Sequence, residues 1–271
     1  MGVKLVLFDL DETIAADDAL DRALFDELAH EVASAHEIAP ARLVAAIVHS
    51  ADALWGRAAT AAYCERLGIS AWEGLWGPFA PSHDPMLAAL HAFVPAYRVD
   101  AWRQAVEACG IHDAALAESL AARFLEQRQA RQTAYPWSRD VLEQLRLSYR
   151  LGMITNGAPD LQRFKLAGTG LAAWFDPVIV SGDLGVGKPD AAIFGEALRQ
   201  AGVSPGEAVM VGDSWHRDVR GATGAGLAAV WMNPRGDAMP TLPSDSPPVM
   251  SAPDLRGLPA LLATLDPTPP A

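Results

Sequence analysis

Short apolar runs recur along the chain, and longer segments with helical periodicity separate them. Continuous apolar, β-branched runs are typical of strands buried on both faces of a parallel sheet. Strands that alternate with helical segments predict an α/β architecture. The runs predicted as strands are Val3–Phe8, Leu151–Ile154, Val178–Val180, Ala208–Val211 and Ala228–Met232.

The first two predicted strands are separated by about 140 residues, far more than one crossover connection requires. Apolar residues recur through this gap at three- and four-residue spacing, as in Leu43, Ile47 and Ala51. We therefore expect an all-helical insertion over residues 16–133. The sheet-forming domain would then consist of residues 1–15 and 134–235.

The last part of the chain, residues 236–271, differs in composition. Ten of the twenty prolines lie between Asn233 and Ala271, so we expect little regular structure there. Leu255–Leu265 is predicted to dock as a short terminal helix, and Asp266–Ala271 to be frayed.

Net charge, cysteine count and hydrophobic runs limit the classes of partner and the cellular compartment that we expect. A net charge of −12 argues against nucleic acid polymers and anionic membranes, which need a basic surface. The two cysteines, Cys64 and Cys109, are too few for a disulfide framework. No basic leader or apolar run of membrane-spanning length is present. We expect a cytoplasmic protein with no membrane partner.

The residues that directly follow the first predicted strand are the most informative of the sequence. Asp9 and Asp11 follow the apolar run at two-residue spacing, and Thr13 comes next. Ligands of open α/β sheets bind at the carboxyl ends of the strands. Two carboxylates placed there repel each other unless a cation or a shared proton lies between them. The spacing predicts a metal-dependent site with one nucleophile and one acid/base group.

Three more predicted strands are followed by polar residues at the same position in the sheet. Thr155-Asn156-Gly157 precedes a helix whose free N–H groups favour an anion such as phosphate, although a simple helix cap explains it too. Gly182 to Lys188 has the spacing of a P-loop, but the following Pro189 has no hydroxyl for magnesium, so we reject that interpretation.

Lys188 is one of only three lysines among 21 basic residues, which suggests a site that needs a compact ammonium. The third strand end carries Asp213 and, five residues later, Asp218. Asp213 is well placed for a metal, whereas Asp218 could equally cap the next helix. Carboxylates without convergent thiols favour Mg²⁺ or Ca²⁺.

In combination and order, these motifs resemble the haloacid dehalogenase superfamily, in its phosphatase branch. The family pattern is Asp-x-Asp-x-Thr, a later Ser or Thr, a distal Lys, and Gly-Asp with a further Asp. The matching residues here are Asp9, Asp11, Thr13, Thr155, Lys188, Asp213 and Asp218. The resemblance implies a Rossmann-like parallel-sheet core with a mainly α-helical cap inserted after the first strand.

The resemblance also implies roles for these residues. Asp9 would attack phosphorus to form an aspartyl-phosphate, and Asp11 would act as general acid and then as general base. Thr155 and Asn156 would hold the phosphoryl oxygens, and Lys188 would balance the charge of Asp9 and phosphate. The implied Mg²⁺ ligands are Asp9, the Asp11 carbonyl and Asp213, with Asp218 directly or through water.

The expected function is hydrolysis of a small phosphorylated metabolite, such as a sugar phosphate or nucleoside monophosphate, by a phosphoric monoester hydrolase. A phosphomutase would share every motif, so it stays an alternative. A 2-haloacid dehalogenase is less favoured, because such members typically lack the second aspartate and need no metal. A non-catalytic phosphate-binding module is also less favoured, because it gains nothing from paired aspartates.

Overall fold

The computed structural model describes residues 2–265, which divide into two compact units. One unit is Asp17–Gln132, here called the helical unit. The other, the sheet unit, comprises the described residues of Met1–Ala16 and Thr133–Ala271. No helix within residues 2–265 is both long enough and apolar enough to cross a membrane.

The helical unit contains six α-helices and no strand. They are α1 (Asp17–His36), α2 (Pro40–Trp55), α3 (Ala61–Leu67), α4 (Ala71–Trp76), α5 (Pro85–Ala108) and α6 (Ala114–Ala130). Their apolar faces meet around an aromatic cluster in which Phe25 stacks on Phe124, with ring centroids 4.6 Å apart, and Trp102 packs against both.

A buried ion pair joins α1 to α6 inside the helical unit. The Arg128 side chain is fully buried and donates to the carboxylates of Asp17 and Asp21, the latter at 2.5 Å from Nε. Its guanidinium also lies 4.1 Å from the ring centroid of Trp76. A buried charge is tolerated only when it is paired, so these contacts explain how arginine occupies this interior position.

The sheet unit is built on six parallel strands in the order β3-β2-β1-β4-β5-β6. The strands are β1 (Leu5–Phe8), β2 (Arg150–Thr155), β3 (Val178–Val180), β4 (Ala208–Gly212), β5 (Ala228–Met232) and β6 (Val249–Ala252). The first five match the predicted strands within two residues at either end. The predicted α/β class with a parallel sheet is confirmed.

Side chains of alternate strand residues enter two separate cores, one on each face of the sheet. Leu5 and Leu7 pack in the core that also contains Phe194. Val6 and Phe8 pack in the opposite core, together with Leu258. Because both faces are covered, every residue of β1 is apolar and buried, which produces the continuous runs visible in the sequence.

The prediction of little regular structure after Asn233 is wrong for β6. This strand extends the sheet at its edge by pairing with β5. Two prolines, Pro247 and Pro248, immediately precede it. The Pro248 carbonyl still accepts a hydrogen bond from the Ala229 N–H, at 3.0 Å. Proline removes a donor but keeps its acceptor, so it is compatible with the start of an edge strand.

The helices of the sheet unit cover the two faces of the sheet. They are α7 (Ser138–Leu145), α8 (Pro159–Gly168), α9 (Ser181–Leu184), α10 (Ala191–Ala201), α11 (Gly221–Gly224) and α12 (Leu258–Leu265). A single π-helical turn, Trp215–Arg220, precedes α11. The terminal helix α12 buries Leu258 and Leu262, and a 3-10 turn, Leu255–Gly257, precedes it. The predicted fraying of Asp266–Ala271 lies outside the described residues.

Candidate active site

The carboxyl end of β1 lies at the centre of the sheet, between β2 and β4. The pairing of β1 with β4 continues one residue beyond β1, because the Asp9 N–H donates to the Val211 carbonyl at 2.9 Å. The chain then turns at Glu12, whose φ of 56° is left-handed. The N–H groups of Ile14 and Ala15 both donate to the Leu10 carbonyl at 2.9 Å. The backbone that carries both aspartates is therefore fixed by hydrogen bonds.

Lys188 links the nucleophile candidate to a second carboxylate. Its Nζ lies 2.7 Å from Asp9 Oδ1 and 2.7 Å from Asp218 Oδ1, and the side chain is almost fully buried. Burial lowers the pKa of the Lys188 ammonium, but the two carboxylates outweigh that effect, so its pKa lies above the ordinary value. Lys188 is consequently charged throughout the physiological range.

Asn156 holds the backbone of Lys188 in place. Its side-chain Nδ2 donates to the Lys188 carbonyl at 2.9 Å, and its Oδ1 accepts from the Lys188 N–H at 2.8 Å. The side-chain amide of Asn156 is therefore engaged with this loop. The family resemblance implied that Asn156 holds the phosphoryl oxygens; in the structure its side chain holds the backbone of Lys188.

Asp9, Asp213 and Asp218 each place a carboxylate oxygen within 4.8 Å of the others. Burial, followed by the charges of Asp9 and Asp218, raises the pKa of Asp213 to about 8. Burial likewise raises the pKa of Asp218, although the Lys188 ammonium opposes that effect. When all three groups are ionised, their charge exceeds that of the one ammonium. A hard divalent cation would neutralise the excess, and oxygen is the ligand that Mg²⁺ prefers. The donor set fits a magnesium site.

Local backbone structure brings Asp218 to the end of β4. Gly212 allows this approach, because a Cβ at this position would lie 2.3 Å from the Asp218 carboxylate. The Ser214 N–H donates to Asp218 Oδ2 at 2.9 Å. Ser214 itself caps the π-helical turn by accepting from the Arg217 N–H. The alternative that Asp218 serves as a helix cap is therefore wrong: it lies inside the turn and faces the carboxylate cluster.

Thr155 ends β2, and its hydroxyl is oriented by a residue of the next helix. Thr155 Oγ1 donates to Gln162 Oε1 at 2.9 Å, and both side chains are buried. Between them Gly157 has a φ of +149°, and a Cβ there would lie 2.4 Å from Gln162 Nε2. Glycine is thus required for Gln162 to reach the threonine.

Asp11 does not share the ammonium that binds Asp9. Its two carboxylate oxygens each lie 3.2 Å from Nζ of Lys165, on α8. The Lys165 side chain is 1% exposed and that of Asp11 is 28% exposed. The structure therefore separates the predicted residues into three sets. Asp9, Asn156, Lys188, Asp213 and Asp218 form one, Asp11 belongs to a second contact, and Thr155 contacts Gln162.

Sequence reasoning missed Lys165 and Gln162. The two residues are three positions apart on α8, so they lie on one face of the helix. The scarcity of lysine, which drew attention to Lys188, applies equally to Lys165 and is the signal that could have identified it.

A family model for haloacid dehalogenase-like hydrolases matches residues 3–226. The chain belongs to this family. The resemblance drawn from its motifs is confirmed.

Two curated relatives of this family member are named as phosphatases. The chain is 39% identical over 232 residues to a phosphoserine phosphatase of Thermus thermophilus, covering 85% of this chain and 89% of the relative. It is 34% identical over 172 residues to an N-acylneuraminate-9-phosphatase of Rattus norvegicus, covering 62% and 68%. The predicted enzyme class, a phosphoric monoester hydrolase, is supported by the family and by these relatives.

A solved structure of the same fold carries a different name. A 2-haloacid dehalogenase from Pseudomonas syringae superposes with a TM-score of 0.58 at 29% identity, and the match covers 97% of this chain and 99% of that one. The fold is therefore common to relatives with different reactions, and the site residues have to decide between them.

Proposed function

We propose that the protein is a Mg²⁺-dependent phosphatase that hydrolyses a small phosphomonoester through an aspartyl-phosphate on Asp9. The observation that supports this most directly is the separation of the two carboxylates at the end of β1. Asp9 is paired with Lys188, and Asp11 is paired with Lys165. In this proposal Asp9 attacks phosphorus, and Asp11, paired with a different ammonium, transfers the protons.

In the first step, a carboxylate oxygen of Asp9 forms a bond to phosphorus as the bond from phosphorus to the ester oxygen breaks. A protonated Asp11 gives its proton to the departing alkoxide, which leaves as the alcohol. Lys188 reduces the repulsion between Asp9 and the phosphate, since its ammonium is 2.7 Å from Asp9.

In the second step, the Asp11 carboxylate takes a proton from water, and the water oxygen attacks phosphorus. The bond between phosphorus and Asp9 breaks, so inorganic phosphate leaves and Asp9 returns to the carboxylate. Asp11 ends this step protonated, ready for the next substrate. We assign the buried Thr155 hydroxyl at the end of β2 to a phosphoryl oxygen in both steps, with its proton turned there from Gln162 Oε1.

Mg²⁺ would be held by Asp9, the Asp11 carbonyl, Asp213 and Asp218. When bound, it would screen the repulsion between the nucleophile and the phosphate dianion. The carboxylate cluster supports this assignment, because its charge is only partly balanced by Lys188.

For the substrate we propose a small phosphorylated metabolite. The names of the two curated relatives favour a phosphorylated amino acid or a sugar phosphate. A panel of phosphoserine, sugar phosphates and nucleoside monophosphates, scored by phosphate release with Mg²⁺, would identify the class.

The decisive test is the Asp9→Asn variant on p-nitrophenyl phosphate. The amide cannot act as the nucleophile, so we expect at least about a thousand-fold loss of turnover with the fold retained by circular dichroism. Asp245→Asn, on the exposed loop before β6, is the matched control and should keep full activity. A chelator should abolish the activity of the unmodified protein, and Mg²⁺ should restore it. Turnover by Asp9→Asn near the normal rate would exclude the proposed nucleophile.

The same assays separate the alternatives. Chloride release from a 2-chloro acid, unaffected by chelator, would favour the dehalogenase that the Pseudomonas syringae structure is named for. Transfer of phosphate between two positions of a sugar, without release of inorganic phosphate, would favour a phosphomutase. Ligand-induced stabilisation without turnover across the panel would favour a binding module.

A further inference from the structure

Helix α8 carries a buried lysine that none of the motifs accounts for. The side chain of Lys165 is only 1% exposed. Burying an ammonium removes its hydration, which is energetically costly unless a partner compensates. Its Nζ lies 3.2 Å from both oxygens of Asp11. An ammonium equidistant from both oxygens restricts the rotation of the carboxylate about its own axis.

The rest of Asp11 is fixed by the loop that carries it. The Glu12 N–H donates to the Ala15 carbonyl at 2.8 Å, and the Ile14 N–H donates to the Leu10 carbonyl at 2.9 Å. The Tyr135 hydroxyl donates to the Glu12 carboxylate at 2.9 Å. The backbone is thus held by hydrogen bonds, and Lys165 supplies a contact that orients the side chain.

Helix α8 is itself anchored in the sheet unit. Leu161 is fully buried, and Leu166 lies in the core that contains β1 residues Val6 and Phe8. One turn before Lys165, Gln162 accepts from the Thr155 hydroxyl. A single rigid helix face therefore contacts two of the groups assigned to catalysis.

We propose that Lys165 is a positioning residue that holds the Asp11 carboxyl group in the orientation needed for proton transfer. This inference rests on the proposed phosphatase function, because Asp11 has the acid/base role only in that reaction. Lys165 contacts the Asp11 carboxylate, whereas the nucleophile candidate Asp9 is paired with Lys188. If Lys165 acts through Asp11, its effect should appear in the steps that need Asp11.

An aryl phosphate separates those steps. p-Nitrophenolate is a good leaving group and departs without a proton, so formation of the aspartyl-phosphate proceeds without help from Asp11. Hydrolysis of the aspartyl-phosphate still needs a base to activate water. In Lys165→Met we expect a burst of one p-nitrophenolate per active site, followed by a steady-state rate about 10- to 100-fold below normal. This loss is smaller than the roughly 100- to 10,000-fold that general acid–base catalysis contributes, because Asp11 itself is retained.

Phosphoenzyme should accumulate in the variant and be detectable by intact-mass spectrometry after acid quenching. For an alkyl phosphate, whose alkoxide needs the proton, the burst should disappear because the first step slows as well. Lys165→Arg retains the positive charge and should recover part of the steady-state rate. Lys4→Met makes the same substitution at a lysine that is 64% exposed and should behave like the unmodified protein.

A double variant distinguishes an effect on Asp11 from a loss of folding. Removing Lys165 alone leaves the Asp11 charge without this partner, whereas Asp11→Asn combined with Lys165→Met removes both charges. If Lys165 acts through Asp11, the double variant and Asp11→Asn alone should turn over at the same rate, within about twofold. A further large loss in the double variant would overturn the proposal.

Equal loss of the burst and of the steady-state rate in Lys165→Met would also overturn it, because that pattern indicates general damage to the site. Unchanged rates in that variant would do the same. Failure of the proposed function would look different: the unmodified protein itself would release no p-nitrophenolate with Mg²⁺.

Discussion

Asp213→Asn should make the metal-free protein more stable while removing its response to Mg²⁺. Asp213 lies beside Asp9 and Asp218, and burial with these two charges raises its pKa from 3.8 to about 8. The amide has nearly the shape of the carboxylate but no charge. The substitution therefore removes an electrostatic cost without opening a cavity.

The sign and size follow from the pKa. A carboxyl group whose pKa is higher in the folded state binds more protons there, so the free energy of unfolding falls as pH rises from about 4 to about 8. One pKa unit is about 1.4 kcal/mol, so a shift of about four units sets an upper limit of roughly 6 kcal/mol at pH above 8. Asp213 is partly exposed, and solvent screening reduces this cost. We expect about 2 kcal/mol in favour of the variant.

Urea denaturation with a chelator present measures the difference directly. The advantage of Asp213→Asn should be small near pH 5 and grow towards pH 8. With Mg²⁺ at about 100 times its Kd, the unmodified protein should gain about 2.7 kcal/mol and the variant almost nothing. Asp245→Asn, at an exposed aspartate, is the control for the substitution itself.

Two results would refute this reasoning. A variant that is less stable than the unmodified protein in chelator at pH 8 would show that the Asp213 carboxylate is favourable without a metal. Equal stabilisation of both proteins by Mg²⁺ would show that Asp213 does not contribute to cation binding.

Two further substitutions test the packing around the site and in the helical unit. Gly212→Ala should weaken Mg²⁺ activation at least tenfold, because its Cβ would lie 2.3 Å from the Asp218 carboxylate; Gly224→Ala, with open space around it, should leave the Mg²⁺ titration unchanged. Arg128→Met should lower the free energy of unfolding by about 3–5 kcal/mol in urea, because it removes the buried cation that pairs with the carboxylates of Asp17 and Asp21. Arg123→Met, at a half-exposed ion pair, should cost under about 1 kcal/mol, and a similar loss in both would contradict the argument.

The strands were predictable because burial on both faces makes them continuous apolar runs. The residues at their ends were predictable for a related reason, since a polar residue that directly follows such a run is placed by the strand itself. Asp9, Thr155 and Asp213 are all of this kind. Their positions depend on local sequence and on the rule that parallel strands end at one edge.

Residues that reach the site from a helix were not predictable in the same way. Lys165 meets Asp11 across 154 residues of chain, and this contact depends on the rotation of α8 on the sheet. The strand β6 was missed because four residues between prolines carry little local signal, and only pairing with β5 makes them a strand. Both are products of tertiary packing rather than of local propensity.

Asp9 and Asp11 are close enough in sequence for their carboxylates to repel each other, and in the structure each is paired with a different lysine. A single ammonium between them would hold both carboxylates against each other and leave neither available for its own task. Instead Lys188 approaches Asp9 from the loop before α10, and Lys165 approaches Asp11 from α8. These are two of the chain's three lysines, in a protein whose other basic residues are arginine. An ammonium is compact enough to fit against one carboxylate without the planar fork of arginine reaching the other. The proposed division between nucleophile and acid/base therefore depends on one loop and one helix that lie outside the Asp9–Thr13 motif.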